Sequence, residues 1–135
     1  MNITSSKAEG RVPVTVIRVD GQLDGQSYME LIDMAKASYK EGARDFLIDL
    51  TDLTYISSAG LVALHSIALL TKGESLPDTD AGWSAYRSIK SSAAEVQTHI
   101  KLLNPREEVK SVLEMVGFDR VFSVFTDLDE AVQSF

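Results

Sequence analysis

The chain of 135 residues contains no cysteine, which excludes disulfide bonds, thiolate metal sites and cysteine nucleophiles. Basic residues are also scarce, since 13 Lys and Arg face 20 Asp and Glu and the formal net charge is −7. Nucleic-acid phosphates are bound by patches of Lys and Arg, and no dense basic run is present, so the composition argues against nucleic acid as a partner. An acidic chain of this kind is better suited to a basic partner protein.

Long apolar runs are absent as well. The longest, Leu61–Leu70, includes His65 and Ser66 and is far shorter than the ~20 residues of a membrane-spanning helix. The first residues, Met1–Ser6, lack the charged start and apolar stretch of a signal peptide. We therefore expect a cytoplasmic protein without membrane insertion. The length predicts one domain over residues 1–135.

Strand and helix patterns alternate along the chain. Residues Val12–Val19 predict a strand with an edge or a start at Pro13, and Asp20-Gly21 predicts a turn before a short strand at Leu23. The other patterns predict strands at 46–50, 99–103 and 121–125, and helices from the N-cap Asp24 to Gly42, at 61–70, at 83–97, from Asn104-Pro105 to Gly117, and after the cap Asp127. This alternation indicates an α/β fold with parallel strand pairs covered by helices.

The most informative segment is Asp49–Leu61, in which an apolar strand passes into a polar loop and two serines precede a helix. The first N–H groups of a helix have no intrahelical partner, and the helix dipole places its positive end there. Ser57 and Ser58 can therefore cap the helix, bind an anion, or carry a phosphate.

Sequence motifs of enzymes are missing. There is no Walker loop, no Gly-x-Gly-x-x-Gly and no Gly-x-Ser-x-Gly, and His65 and His99 lie in different predicted elements. Asp24, Asp49 and Asp52 could bind Mg²⁺ near the strand ends, or serve as an N-cap and as loop hydrogen-bond acceptors. We predict no catalytic residue, no metal site and no cofactor.

Two segments, Val16–Asp24 and Phe46–Leu61, together with Leu102–Pro105, Gly117-Phe118 and Asp127–Ala131 in the tail, resemble the STAS domain. This is the family of anti-sigma factor antagonists, which is also found as the cytoplasmic tail of sulfate transporters. The resemblance implies a mixed sheet of four to five strands with helices mostly on one face. It covers nearly the whole chain except a predicted insertion at about residues 72–97.

The resemblance also implies a function without catalysis. Such a protein binds an anti-sigma factor that is a serine kinase, is phosphorylated at the start of the second helix, and is restored by a PP2C-type phosphatase. An alternative is a scaffold subunit of a lipid- or anion-transport system. In the commoner family string, Asp-Ser-Ser-Gly-Leu, the phosphorylated serine directly precedes Gly, where this chain has Ala59.

We therefore predict Ser58, and after it Ser57, as the phosphate acceptor. The resemblance further implies a partner-binding surface, which we predict at Asp24, Tyr55, Ile56, Ala59, Gly60 and Leu61.

Overall fold

A computed structural model describes residues 2–71 and 97–135. The helix predicted at 83–97 and the insertion predicted at about 72–97 lie outside the described residues, except for Gln97. The described chain has the order β1 (Asn2–Glu9), β2 (Pro13–Leu23), α1 (Tyr28–Lys40), β3 (Phe46–Asp49), β4 (Leu53–Ile56), α2 (Ser58–Thr71), β5 (Ile100–Leu103), α3 (Glu107–Met115), α4 (Phe118–Val121), β6 (Val124–Phe125) and α5 (Leu128–Gln133). The predicted α/β class is confirmed.

The strands form one mixed sheet in the order β1-β2-β3-β5-β6, and β4 pairs with the far end of β2. Only β1 is antiparallel to its neighbour, while the other four pairings are parallel. The described sheet therefore has six strands instead of the expected four to five. β1 was not predicted, because its polar sequence buries only Ile3 and Ala8 in part.

The turn predicted at Asp20-Gly21 is wrong, because β2 continues without interruption to Leu23. Gly21 has a positive φ of 100°, and the pairing register with β4 shifts between Gly21 and Gln22. The shift leaves Thr54 of β4 as an extra residue between the partners of Gly21 and Gln22, and Gly21 adopts its positive φ without a Cβ to clash. One long strand thus pairs with β3 along its first half and with β4 along its second half.

Helices cover the two faces of the sheet unequally. A large apolar cluster on one face includes residues of α1, α2, α3 and α4, among them Leu31, Leu64, Leu113 and Phe118. A smaller cluster on the other face joins the strands to α5 and consists of Val14, Val16, Leu47, Leu103, Ala131 and Val132. The expectation of helices mostly on one face is confirmed.

Two predicted helix starts are wrong. α1 begins at Tyr28 with Ser27 as its N-cap, and residues 24–27 form a turn that precedes the helix. α3 begins after the N-cap Arg106. Asn104, the predicted N-cap, has a left-handed backbone with φ 53°, whereas an N-cap residue usually has an extended backbone.

Helix and strand ends elsewhere follow local chemistry. Gly42, with φ 113°, ends α1 as predicted: its N–H donates to Tyr39 O, and Ala43 N–H donates to Ser38 O. The strand predicted at 121–125 is shorter than expected, because Phe118–Val121 forms α4 and only Val124–Phe125 pairs with β5. Asp127 caps α5 as predicted, since its carboxylate accepts a hydrogen bond from Glu130 N–H at 3.4 Å.

Candidate functional site

The parallel pairing of β2 with β4 brings Asp24, at the end of β2, close to the two serines that follow β4. Leu23 is in register with Ile56, and Ser57 N–H donates to Leu23 O at 2.9 Å. Asp24 and Ser57 therefore follow aligned residues at the carboxyl ends of neighbouring strands, although 33 residues separate them in sequence. The start of α2 and the turn after β2 lie side by side at this edge.

Gly60 allows α2 to begin so close to β2. A Cβ at this position would lie 2.6 Å from Ile56 Cγ1 and 2.8 Å from Leu23 O, closer than van der Waals contact permits. Ile56 and Leu61 are only 3% and 2% exposed and belong to the large cluster. These three predicted partner-binding residues lie in the interior and hold Ser57 and Ser58, the serine loop, in place.

The two serines have different environments. Ser57 is half-buried, its hydroxyl accepts a 3.4 Å hydrogen bond from Gly60 N–H, and its carbonyl accepts one from Leu61 N–H. Ser57 thus takes the capping role that was one of the open interpretations. Ser58 is the first residue of α2 and is exposed, while Ala59 is half-buried. The hydroxyl that solvent or another protein reaches most directly at this helix start belongs to Ser58.

Asp24 is fixed by the turn that follows it. Its carboxylate accepts a hydrogen bond from Gln26 N–H at 3.0 Å and lies 3.2 Å from Ser27 Oγ. Ser27 also accepts from Asp24 N–H at 3.0 Å and donates to Gln22 O at 2.8 Å. A shallow polar depression of about 280 Å³, which Glu30 also lines, opens at this turn.

Ser27 was not among the residues predicted for this site. Its side chain is buried and organises the turn that presents Asp24. The spacing Asp-x-x-Ser was the available signal, because Asp and Ser side chains readily bond to nearby backbone groups in turns.

Tyr55 was predicted as a partner-binding residue. It lies in β4 close to the two serines, and its side chain is 50% exposed, more than any other large apolar side chain described at this edge.

An ion-pair network lies between β2, the β3–β4 loop and the start of α3. Asp52 forms an ion pair with Arg18, and its Oδ1 lies 3.7 Å from Nη2 of Arg106. Arg106 Nε donates a hydrogen bond to Thr51 O at 3.0 Å. Asp49 accepts hydrogen bonds from the N–H and the hydroxyl of Thr51, at 3.0 and 2.5 Å. The loop hydrogen-bonding interpretation of Asp49 is thus observed, and Asp52 is an ion-pair partner.

The Mg²⁺ interpretation receives no support from this geometry. Among residues 2–71 and 97–135, no three His, Asp or Glu side chains converge in an arrangement that could hold a metal ion. No helix in the same part of the chain has the length and apolar character needed to cross a membrane.

A family model and several solved structures of other proteins match this chain. A family model of the STAS domain matches residues 5–75. An anti-sigma factor antagonist from Mycobacterium paratuberculosis has a similar structure, with a TM-score of 0.65 and 19% sequence identity over 98% of this chain and 93% of that one. The anti-sigma factor antagonist SpoIIAA in its unphosphorylated form has a TM-score of 0.62 and 15% identity over 97% of this chain and 93% of its own.

A third solved structure is the phosphorylated form of the Bacillus cell fate determinant SpoIIAA. Its TM-score is 0.55, with 14% identity over 97% of this chain and 96% of that one. No curated protein matches the sequence. At these identities the solved structures establish the shared fold.

Proposed function

The chain belongs to the STAS domain family, and on that premise we propose that it is an anti-sigma factor antagonist. It binds an anti-sigma factor that is a serine kinase, and it performs no catalysis of its own. Because sigma factors act in the cytoplasm, this role requires a cytoplasmic location. The similarity of fold to an anti-sigma factor antagonist over 98% of the chain supports treating residues 1–135 as one STAS domain. The insertion at about 72–97 stays a prediction.

The exposed Ser58 at the start of α2 is the observation that carries the proposal. A kinase must reach the hydroxyl it modifies, and the Ser57 hydroxyl is half-buried and bonded to Gly60 N–H. Ser58 is therefore the proposed acceptor and Ser57 the second choice. The unpaired N–H groups and the positive dipole end of α2 favour a phosphate at this position without unfolding the helix.

The proposed docking surface surrounds Ser58 with the exposed ring of Tyr55, the half-buried Ala59 and the oriented carboxylate of Asp24. A phosphate adds about −1.5 to −2 charges to this surface, which already contains Asp24. Because a partner fitted to the unmodified surface then meets like charge and a bulky group, its affinity falls. Removal of the phosphate by a PP2C-type phosphatase restores binding.

Phosphorylation is tested with the kinase-type anti-sigma factor of the same genome, ATP and intact-mass measurement. We expect one added phosphate on the unmodified chain and on Ser57→Ala, and none on Ser58→Ala. A phosphate that persists on Ser58→Ala and disappears from Ser57→Ala would move the acceptor to Ser57. No added phosphate, together with no binding to the kinase, would overturn the proposed function.

Partner affinity gives a second measurement. Ser58→Glu should weaken binding about ten-fold or more, since it adds charge at the centre of the docking surface. Ser111→Glu is the matched control, because Ser111 is also exposed on a helix, α3, but is not part of this surface. Equal losses in the two variants would show a general effect of net charge instead of a local one.

A further inference from the structure

Strand β1 forms one edge of the sheet, and the hydrogen bonds of β2 reveal which of its backbone groups face outward. Thr15 N–H donates to Asp45 O, so the backbone groups of Thr15 face β3. Directions alternate along a strand, and the groups of Val14 and Val16 therefore face β1. Their register partners are Ala8 and Ser6.

The same alternation identifies the outward groups of β1. Asn2, Thr4, Ser6 and Ala8 bond to β2, which leaves the N–H and C=O groups of Ile3, Ser5, Lys7 and Glu9 on the open side. Within the described chain, no backbone hydrogen bond outside the regular helices and strands involves these four residues.

β1 lacks most of the features that usually protect an edge strand, although it carries the exposed charges of Lys7 and Glu9. It is eight residues long, contains no proline, and pairs with β2 in an unbroken register from Asn2 to Glu9. Its central residues Thr4, Ser5 and Ser6 are exposed and uncharged. Natural sheets commonly protect such an edge with a short strand, a charge, a proline or a bulge, because the unpaired backbone groups of an open edge can bond to another chain.

We propose that β1 pairs antiparallel with β1 of a second copy of this chain, about a two-fold axis at Ser6. The outward residues are placed symmetrically around Ser6, so this register pairs Ile3 with Glu9 and Ser5 with Lys7. Every outward N–H and C=O from Ile3 to Glu9 then has a partner. Side chains stay on their own face of the sheet, as a two-fold axis perpendicular to the sheet requires.

The charges of β1 support the same register. Lys7 lies opposite Ser5, and Thr4 lies opposite Ala8, so no like charges are directly opposed. An axis at Lys7 would place two ammonium groups opposite each other, which is destabilising. An axis at Ser5 would pair Ile3 with Lys7 and leave the outward groups of Glu9 without a partner within Asn2–Glu9. The register at Ser6 thus satisfies the outward backbone groups of both copies without placing like charges opposite each other.

This pairing leaves the serine loop free. Ser57 bonds to Leu23 on the β4 side of β2, whereas β1 lies on the opposite side of that strand. The dimer therefore does not depend on the proposed partner binding, and either proposal can fail without the other. The edge is polar and buries little apolar surface, so association is weak and is best detected by cross-linking.

The absence of native cysteine makes single-cysteine cross-linking specific. Ser6→Cys places two thiols opposite each other in a non-hydrogen-bonded pair, with Cα atoms about 4.5 Å apart, which a disulfide can bridge. Thr4→Cys is the matched control, because its two copies would lie about 13 Å apart in this register. Under mild oxidation of the full chain, we expect about ten-fold more disulfide dimer from Ser6→Cys.

A proline variant tests whether backbone pairing is responsible. Ser5→Pro removes an outward N–H that the β1–β2 ladder does not use, so the thermal unfolding midpoint should change little. Added to Ser6→Cys, it should reduce cross-linking to the level of Thr4→Cys. Equal cross-linking of Ser6→Cys and Thr4→Cys, or none in either, would overturn the proposal, as would undiminished cross-linking in a folded Ser5→Pro variant.

Discussion

The two faces of the sheet differ in what they bury. One carries the large apolar cluster between the strands and four helices, and on the other four buried apolar strand residues pack against Ala131 and Val132 of α5. Further along β2 the second face is polar, because Arg18 and Asp20 alternate with Ile17 and Val19 of the large cluster. Stability and surface chemistry are thus separated: the first face supports the fold, and it also anchors the serine loop through Ile56, Gly60 and Leu61.

Lys101 illustrates how the second face tolerates a charge. It is 9% exposed, its Nζ donates to Ser134 O at 2.8 Å, and it lies 3.0 Å from Ser134 Oγ. Nζ also lies 4.6 Å from the centre of the Phe135 ring, within the range of a cation–π interaction. The ammonium thus holds Ser134 and Phe135 against the face of the sheet opposite the large apolar cluster.

The strongest test of the comparison uses two neighbours in β3. Ile48 and Leu47 are both fully buried but face the large and the small cluster respectively. We expect Ile48→Ala to lower the free energy of unfolding by about 4 kcal/mol and Leu47→Ala by about 2–3 kcal/mol, because α5 can relax into the smaller cavity. Chemical denaturation measures both values. Equal losses would mean that the two faces are equally rigid.

A second test probes the anchor of the serine loop. Gly60→Ala should lower the free energy of unfolding by about 2 kcal/mol, since its Cβ would collide with Ile56 and the Leu23 carbonyl. Gly25→Ala is the control: a Cβ there meets nothing within 4 Å, so a change below about 0.5 kcal/mol is expected. If both variants unfold at the denaturant concentration of the parent, the close approach at Gly60 does not constrain the loop.

The pH dependence of stability sharpens the role of Lys101. Desolvation by burial lowers its pKa from the ordinary 10.5, although the charge of Asp45 opposes the shift. Between the lowered folded pKa and 10.5 the unfolded chain binds more protons, so this group makes stability rise with pH in that window. Lys101→Met should remove this rise and change stability at neutral pH by about 1 kcal/mol or less.

Unfolding curves measured at several pH values below 10.5 test this expectation. Lys110→Met is the matched control, because Lys110 lies exposed on α3. It should leave the slope of stability against pH unchanged. The same slope in Lys101→Met and the parent would show that burial of the ammonium has no energetic consequence.

The smallest change in the free energy of unfolding is expected from a substitution on the polar part of the second face. Asp52→Asn removes the ion pairs with Arg18 and Arg106, but all three side chains are more than a third exposed. Exposed pairs contribute little, so we expect a loss of about 0.5 kcal/mol that shrinks at high salt. Denaturation at two salt concentrations checks this value. A loss that matches Gly60→Ala would show that the network is a major anchor of the β3–β4 loop.

The sequence predicted elements well where periodicity was strong. The apolar residues of α1, β3, α2 and α3 recur at helix or strand spacing, and these elements were found within a few residues of their predicted bounds. β1 and β4 were missed for different reasons. β1 exposes most of its side chains, so little apolar alternation is present, and β4 is only four residues long in a segment that also suits a loop.

The candidate site was predictable as a set of residues but not as an arrangement. Asp24, Ser57 and Ser58 were singled out, yet nothing in the local sequence distinguishes a capping serine from an exposed one. Ser27 was missed because its role depends on three hydrogen bonds that its side chain makes within the turn between β2 and α1, and this turn forms only in the folded chain. Gly21 was mistaken for part of a turn because a glycine at positive φ suits a turn and an irregular strand pairing equally well.

By itself the sequence determined the alternation of strands and helices, the absence of cysteine chemistry and the helix that starts at two serines. These properties depend on residue type and short spacing, which are local. Only the tertiary structure decided that Asp24 lies beside Ser57, that Ser58 is the more accessible serine, and that β1 lies at an edge of the described sheet. Strand register and burial result from contacts between residues far apart in sequence, and no local pattern specifies them.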